Sequence, residues 1–323
     1  MPPETLEFEE PIAILQKEIE ALTLLPRTDA REREIESLRH RVESVRAELF
    51  RNLTPWQRVQ VARHPNRPGL HEYIERLFPN FVEIHGDRRF ADDHAIVTGF
   101  AEYRGEPVLL VGHDKGADTK EKIFRNFGYA RPEGYRKALR TMRVAEKFSR
   151  PIIVFVDTPA AYPGIESEER GVAEAIAVNL RDMMVLDAPI VVFVSGEGGS
   201  GGALGIAIGD RVLMQEFSIY SVIPPEGCAA ILWRDAGKKV EAAEALKLTA
   251  PDLLAAGIID EIVPEPIGGA HNDADAAART VDEVLNRVLS DVRGLSSGER
   301  LDRRYEKFRA MGRAGMDFTE TGS

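Results

Sequence analysis

The sequence predicts an α/β fold in which a mostly parallel sheet is buried on both faces. Two β-rich runs, residues 97–103 and 108–112, flank Arg104-Gly105-Glu106-Pro107, which reads as a hairpin turn. Beyond them helices and strands alternate: a helix over 133–148 feeds a strand over 152–157, and a helix over 168–186 feeds one over 190–195. Both strands are continuous apolar runs, the pattern of a sheet covered by helices on each side.

The other elements follow in order. Ile12, Leu15, Ile19 and Leu22, then Ile35, Leu38, Val42, Val45 and Leu49, recur at three- and four-residue spacing with Pro26 between the two sets, which predicts a helical hairpin over 1–53. The dense charge on its second helix, from Arg31 to Arg51, reads either as a solvated face or as a docking arm for another subunit. Thr54, Pro55 and Gln57 have the form of a capping box with proline at the first helical position, so the main domain is expected to begin at 54 and run to 295. A short helix after Gly201, a strand over 211–216, helices from Lys238 and a last strand over 258–263 complete it. Residues 296–323 are polar enough to predict a frayed tail.

Composition narrows the function. A chain of 323 residues with 43% hydrophobic content can bury an enzyme-sized core. Its net charge of -11 argues against a nucleic-acid partner. Cys228 is the single cysteine, so no internal disulfide or cysteine-based metal site is expected, and a cytoplasmic location follows. No apolar run approaches the roughly 18 residues that span a bilayer, and the acidic start does not have the form of a signal peptide.

The most informative segment is Ser195-Gly196-Glu197-Gly198-Gly199-Ser200-Gly201-Gly202-Ala203, between a buried strand and a short helix. Glycines there allow positive φ and close approach of backbone N–H groups, and a helix N-terminus adds donors, so the turn can hold an oxyanion. Other readings stay open. Gly196, Gly198 and Gly201 match a dinucleotide-binding spacing, but the following helix is too short for the usual crossover; a P-loop ending is missing. Ser200 as a hydrolase nucleophile departs from the usual elbow spacing, and the glycines could serve helix–sheet packing alone. A second loop, Asp157-Thr158-Pro159-Ala160-Ala161-Tyr162-Pro163-Gly164, follows the preceding strand. If the two strands are neighbours, it is expected to face the Gly-rich turn across a crevice, with Tyr162 as a wall. Between Lys115 and Arg140 the sign of charge reverses; Lys120, Lys122, Arg125, Arg131 and Arg136 form a basic patch for CoA phosphates, for an acidic partner, or for solvent.

Six stretches carry a resemblance that covers nearly the whole chain: "HGDRRFADDHAIVTGFA" from His85, "FGYARPEGYRKALRTM" from Phe127, "DTPAAYPG" from Asp157, "GEGGSGGALGIAIGDRVLM" from Gly196, "YSVIPPEGCAAILW" from Tyr220 and "GGAH" from Gly268. In these the chain resembles the alpha subunits of bacterial multi-subunit acetyl-CoA carboxylase carboxyltransferases. The resemblance implies a ClpP/crotonase-like fold, a spiral of ββα units, and an alpha2beta2 heterotetramer whose beta subunit binds acetyl-CoA and carries a zinc ribbon, leaving no metal here. It implies transfer of a carboxyl group from carboxybiotin, held on the biotin carboxyl carrier protein, to acetyl-CoA, giving malonyl-CoA for fatty acid synthesis. Biotin carboxylase completes the assembly, and with it the expectation of ATP-binding. By matching position, the amides of Gly202 and Ala203 become the oxyanion hole for the biotin ureido oxygen. Pro159, Ala160, Ala161, Tyr162, Pro163, Gly164, Gly198, Gly199, Ser200 and Gly201 become the biotin surround. Two positions depart from the family: Ala160 stands where a glycine is usual and Pro224 where a serine is expected. The competing functions are another crotonase-fold acyl-CoA enzyme, a hydratase or thioester hydrolase, and a non-catalytic scaffold subunit.

Overall fold

The computed structural model describes residues 5–312. Helices α1 (Glu10–Thr23) and α2 (Asp29–Arg51) form the expected hairpin, closed by Ile12, Leu15 and Val42. It is tied to the body by Phe50, whose ring meets Phe217 edge-on at 5.5 Å. Helix α3 (Pro55–Ala62) starts at the expected capping box, and α4 (Leu70–Leu77) follows. Next come β1 (Val82–Glu83), β2 (Ile96–Tyr103), β3 (Glu106–His113), α5 (Thr119–Phe124), α6 (Pro132–Lys147) and β4 (Ile152–Thr158). Helices α7 (Ile165–Glu169) and α8 (Val172–Met183) precede β5 (Ile190–Gly199), α9 (Ser200–Leu204), β6 (Arg211–Gln215) and β7 (Ile219–Ser221). The chain continues through α10 (Pro225–Leu232), α11 (Lys239–Ala245), α12 (Ala250–Ala255), β8 (Glu261–Val263), α13 (Ala274–Arg293) and α14 (Ser297–Ala310). No helix among the described residues is long and apolar enough to cross a membrane.

The strands form one sheet in the order β1-β2-β3-β4-β5-β6-β8, antiparallel up to β3 and parallel beyond it, with β7 beside the end of β5. Arg104 and Gly105 turn the β2–β3 hairpin with φ of 51° and 82°, the positive pair that a tight two-residue hairpin requires. Strand β4 divides its apolar residues between two cores: Ile152, Val154 and Val156 pack with α6 and α8, while Ile153 and Phe155 pack with α4 and α13. Burial on both faces is therefore real, and it forces the strands' functional groups to the strand ends.

Three sequence expectations are corrected. The helix over 168–186 is two helices, because Gly171 takes the left-handed conformation with φ 78° between α7 and α8. Strand β5 does not stop at Ser195 but continues to Gly199, so most of the Gly-rich segment is strand rather than turn. The polar C-terminal region is no frayed tail as far as it is described: α14 begins at a Ser296–Glu299 capping box and buries Arg304, while residues 313–323 lie outside the described residues. The Arg304 guanidinium bonds Asp210 at 2.8 Å and the carbonyls of Met183, Leu186 and Ala188. Polarity misleads here because the charge is used inside the fold. Arg304→Met is expected to cost about 3–5 kcal/mol in urea unfolding, since it strands a buried carboxylate and three carbonyls; a loss below about 0.5 kcal/mol would mean that α14 does not pack as described.

Candidate active site

The functional segments meet at the carboxyl ends of β3, β4 and β5. Strands β4 and β5 are parallel neighbours, and after a bulge beyond Val156 the pairing resumes at Thr158 and Gly198. The second half of β5, Glu197 to Gly199, turns away from β6 and pairs with β7 instead. The expected crevice between the two loops is not there, because the loops touch backbone to backbone. A Cβ on Gly199 would stand 1.8 Å from the Pro159 carbonyl oxygen, and one on Gly202 would stand 2.4 Å from the Ala160 carbonyl carbon. Positive φ is not what these glycines supply: none of Gly196, Gly198, Gly199, Gly201 or Gly202 has it, whereas Ser200 does, at 49°. Ala160 has no positive φ either, so the alanine in place of the usual glycine carries no backbone strain.

The expected donors, the amides of Gly202 and Ala203, lie in the first turn of α9. The Gly201 carbonyl accepts from the Gly205 N–H at 3.0 Å, which fixes that peptide plane along the α9 axis. A trans peptide then points the Gly202 N–H the opposite way, out of the helix N-terminus. Ser200 is left-handed, so regular helical conformation begins at Gly201 and the first-turn N–H groups are those of Gly201, Gly202 and Ala203. Ala203, the third of these, is fully buried.

An ion network fixes the loops laterally, and sequence reading did not connect its members. Lys115 Nζ lies 2.6 Å from Asp157 Oδ1 and 3.5 Å from Glu197 Oε2. The same Asp157 oxygen accepts the Glu197 N–H at 2.8 Å. Arg63, from the end of α3, bonds Glu197 at 2.6 Å and Glu226 of α10 at 2.7 Å. Burial opposes the charges on Lys115 and Glu197, but the facing groups overcome it, so Lys115 is held above its ordinary range and Glu197 below. Beside them the His113 ring is fully buried against the Gly202 carbonyl without a hydrogen bond of good geometry. Burial first, then Lys115, pushes its imidazole down to about 3, so the ring is neutral at neutral pH.

The remaining expected residues scatter. Pro159, Gly198 and Gly199 border a hollow of about 10 Å³ with Ser221, Ile223 and Pro224, which brings the Pro224 departure to the site. Ala161 pairs with Ala130, Pro163 is exposed, and Tyr162 stacks under the Arg131 guanidinium at 4.7 Å, its ring filling the space that a side chain on Gly164 would need. Among the described residues no hydrogen bond engages the Ser200 hydroxyl, so the nucleophile reading has no general base in contact. The basic patch is not one surface. Lys120 and Lys122 are on the short exposed-rich α5, Arg125 bonds Asp114 at 3.0 Å, and Arg136 faces a different hollow between α6 and α8.

A family model described as acetyl co-enzyme A carboxylase carboxyltransferase-like matches residues 5–312. The chain belongs to the acetyl-CoA carboxylase carboxyltransferase family. It is 57% identical over 309 residues to the acetyl-coenzyme A carboxylase carboxyl transferase subunit alpha of Geobacter metallireducens, covering 95% of this chain and 97% of that one. It is 59% identical over 273 residues to the same subunit of Geobacter sulfurreducens, covering 84% and 86%. The family's chemistry is carboxyl transfer, which gives no support to ATP-binding by this chain. Solved structures at lower identity share the fold: transcarboxylase 12S, at TM-score 0.56 and 18% identity over 70% of this chain, and a Pseudomonas malonate decarboxylase hetero-tetramer, at 0.56 and 17% over 74%. The chain spans 42% of the transcarboxylase chain and 95% of the malonate decarboxylase chain. These likenesses are of fold, and the expected fold class holds.

Two outcomes check the site. Gly199→Ala is expected to lose about 2 kcal/mol or more, since its methyl meets fixed backbone, whereas Gly201→Ala, whose nearest neighbour would be Ile176 at 3.5 Å, stays within about 1 kcal/mol; equal losses by thermal unfolding would refute the backbone contact. An imidazole that protonates near 6.5 unfolded and near 3 folded stabilises the fold above about pH 6.5 and withdraws that stability as the pH falls toward 3. Wild type should therefore lose about 2 kcal/mol more than His113→Leu between about pH 7 and about pH 5, read by urea titration at each pH; identical pH profiles would contradict it.

Proposed function

We propose that this chain is the biotin-side half of an acetyl-CoA carboxylase carboxyltransferase, presenting carboxybiotin to acetyl-CoA held by a beta subunit. The feature that supports this is the first turn of α9, where the N–H groups of Gly202 and Ala203 are the proposed donors, on a segment poor in side chains and backed by the Pro159–Ala161 backbone. Bound carboxybiotin supplies the carboxyl group and a ring nitrogen that can take the proton from the acetyl methyl. This chain's part is to stabilise charge: two backbone donors at a helix N-terminus fit the ureido oxygen, which becomes negative as the carboxyl group leaves. Removing one such donor typically costs on the order of 3 kcal/mol of transition-state stabilisation. A general acid or base from this chain is unnecessary, and its nearest carboxylates, Asp157 and Glu197, are already bound to Lys115 and Arg63. That commitment weighs against a self-contained hydratase or hydrolase.

The hollow beside Pro159 and Gly199, about 10 Å³, is no larger than one water and cannot enclose a ureido ring. The ring must then lie between this surface and another body, which supports a site shared with the beta subunit in an alpha2beta2 assembly. The carrier protein and biotin carboxylase complete the partners, zinc belongs to the beta subunit, and the location is cytoplasmic. The helical hairpin, ending near residue 53, and the carboxyltransferase body are proposed as separate units.

Lys115 is the positioning residue in this reading, because it sets the spacing between the Asp157 and Glu197 segments. Malonyl-CoA-dependent carboxylation of free biotin should be absent from the isolated chain and appear on adding the beta subunit. In that complex, Lys115→Met should lower kcat by about 100-fold with assembly intact, and Lys115→Arg should restore part of it. Activity of the isolated chain would overturn the shared site; unchanged kcat in Lys115→Met would overturn the positioning role.

A further inference from the structure

A second hollow, of about 480 Å³, opens between α6, α8 and the loop after β1, and shares no lining residue with the Gly-rich segment or the Asp157 loop. Its volume is in the range of small-molecule sites. Six arginines line it: Arg88 and Arg89 from the loop, Arg136, Arg140 and Arg143 from α6, and Arg181 from α8. In a chain of net charge -11, such a concentration of one sign is the opposite of the surrounding surface.

The acids nearby neutralise it only in part. Asp182 pairs with Arg143 and Arg181 at the rim. Asp87 lines the hollow, but its Oδ1 accepts the N–H groups of Arg89, Phe90 and Ala91, and its Oδ2 comes no closer to Arg136 than 3.9 Å. Glu174 and Glu133 stand 3.8 Å and 3.9 Å from Arg136, which is therefore ion-paired. Arg88 and Arg140 reach only neutral carbonyls, those of His85 and Gly86. Among the described residues, neither these two nor Arg89 has an acidic ion-pair partner, and the Arg136 Nε is buried with no hydrogen-bond partner. Burial and then Arg88 push the Arg140 guanidinium down from its ordinary range, and Asp87 and Asp92 oppose this only in part.

We propose that this hollow binds an oligophosphate, a ligand with two or more adjacent phosphate groups. Guanidinium forks match phosphate oxygens two at a time, and arginines on both walls can grip neighbouring phosphates from opposite sides. A single phosphate would answer only part of the charge that Arg88, Arg89 and Arg140 leave open. The two natural sources of this chemistry are a free oligophosphate and the diphosphate of a CoA compound.

The test is calorimetry on the purified full-length chain with inorganic pyrophosphate, at low and at moderate salt. One site per chain, weakening with salt, is expected. Arg88→Ala/Arg89→Ala, both exposed and neither holding the core, should weaken binding at least about ten-fold with unchanged thermal unfolding, while Lys120→Ala/Lys122→Ala should leave it unaltered. Displacement of pyrophosphate by CoA identifies the CoA diphosphate as the source, and failure of CoA to displace it identifies a free oligophosphate. No saturable binding at low salt, equal affinity in the arginine variant, or binding of polyglutamate in place of pyrophosphate would overturn the proposal. None of these readouts involves carboxyl transfer, so the result stands apart from the reading of the Gly-rich site.

Discussion

The site depends on one close contact: the backbone of the Asp157 loop rests directly on the backbone of the Gly-rich segment. At Gly199 the space for a side chain is already taken by the Pro159 carbonyl, and at Gly202 by the Ala160–Ala161 peptide. Close packing of this kind admits no adjustment by rotamer change, because both surfaces are main chain. It holds α9 at a set depth beneath the strand ends and leaves its first N–H groups facing outward. The Gly201–Gly205 bond then fixes the direction in which those groups point.

Charge does the lateral work. Lys115 comes from the segment after β3, Asp157 from the end of β4, Glu197 from β5 and Arg63 from the end of α3, so one network ties four separate stretches of chain. Burying such charges costs several kcal/mol per ion, which good pairing only offsets. The return is positional. The Glu197 N–H and the Lys115 ammonium share one Asp157 oxygen, so neither loop can shift without breaking a charge-assisted bond. His113, neutral and buried behind Gly202, adds a polar group whose protonation the fold resists.

Relatives above 50% identity and structures below 20% identity agree on different levels. The former share the family along nearly the whole chain. The latter share the sheet and its helices, which persist because both sheet faces must be covered whatever the side chains. Function then resides in the strand ends, where few residues are spent on packing.

Periodicity and turn chemistry alone determined much of this protein: the helical hairpin around Pro26, the capping box at Thr54, the tight turn at Arg104-Gly105, and two buried parallel strands ending in loops of chemical interest. These are local features, set by residues within a few positions of one another. Only the tertiary structure decided why the glycines are glycines, since a clash with Pro159, forty residues away in sequence, is invisible to a pattern of spacing. It also decided where the helix that carries the amides begins, because Ser200 takes a left-handed conformation between β5 and Gly201. The union of Lys115 with Asp157 and Glu197, and the folding of a polar C-terminal stretch around buried Arg304, belong to the same class. A charge looks the same in a sequence whether it faces water or a partner, and only the packed chain supplies the partner.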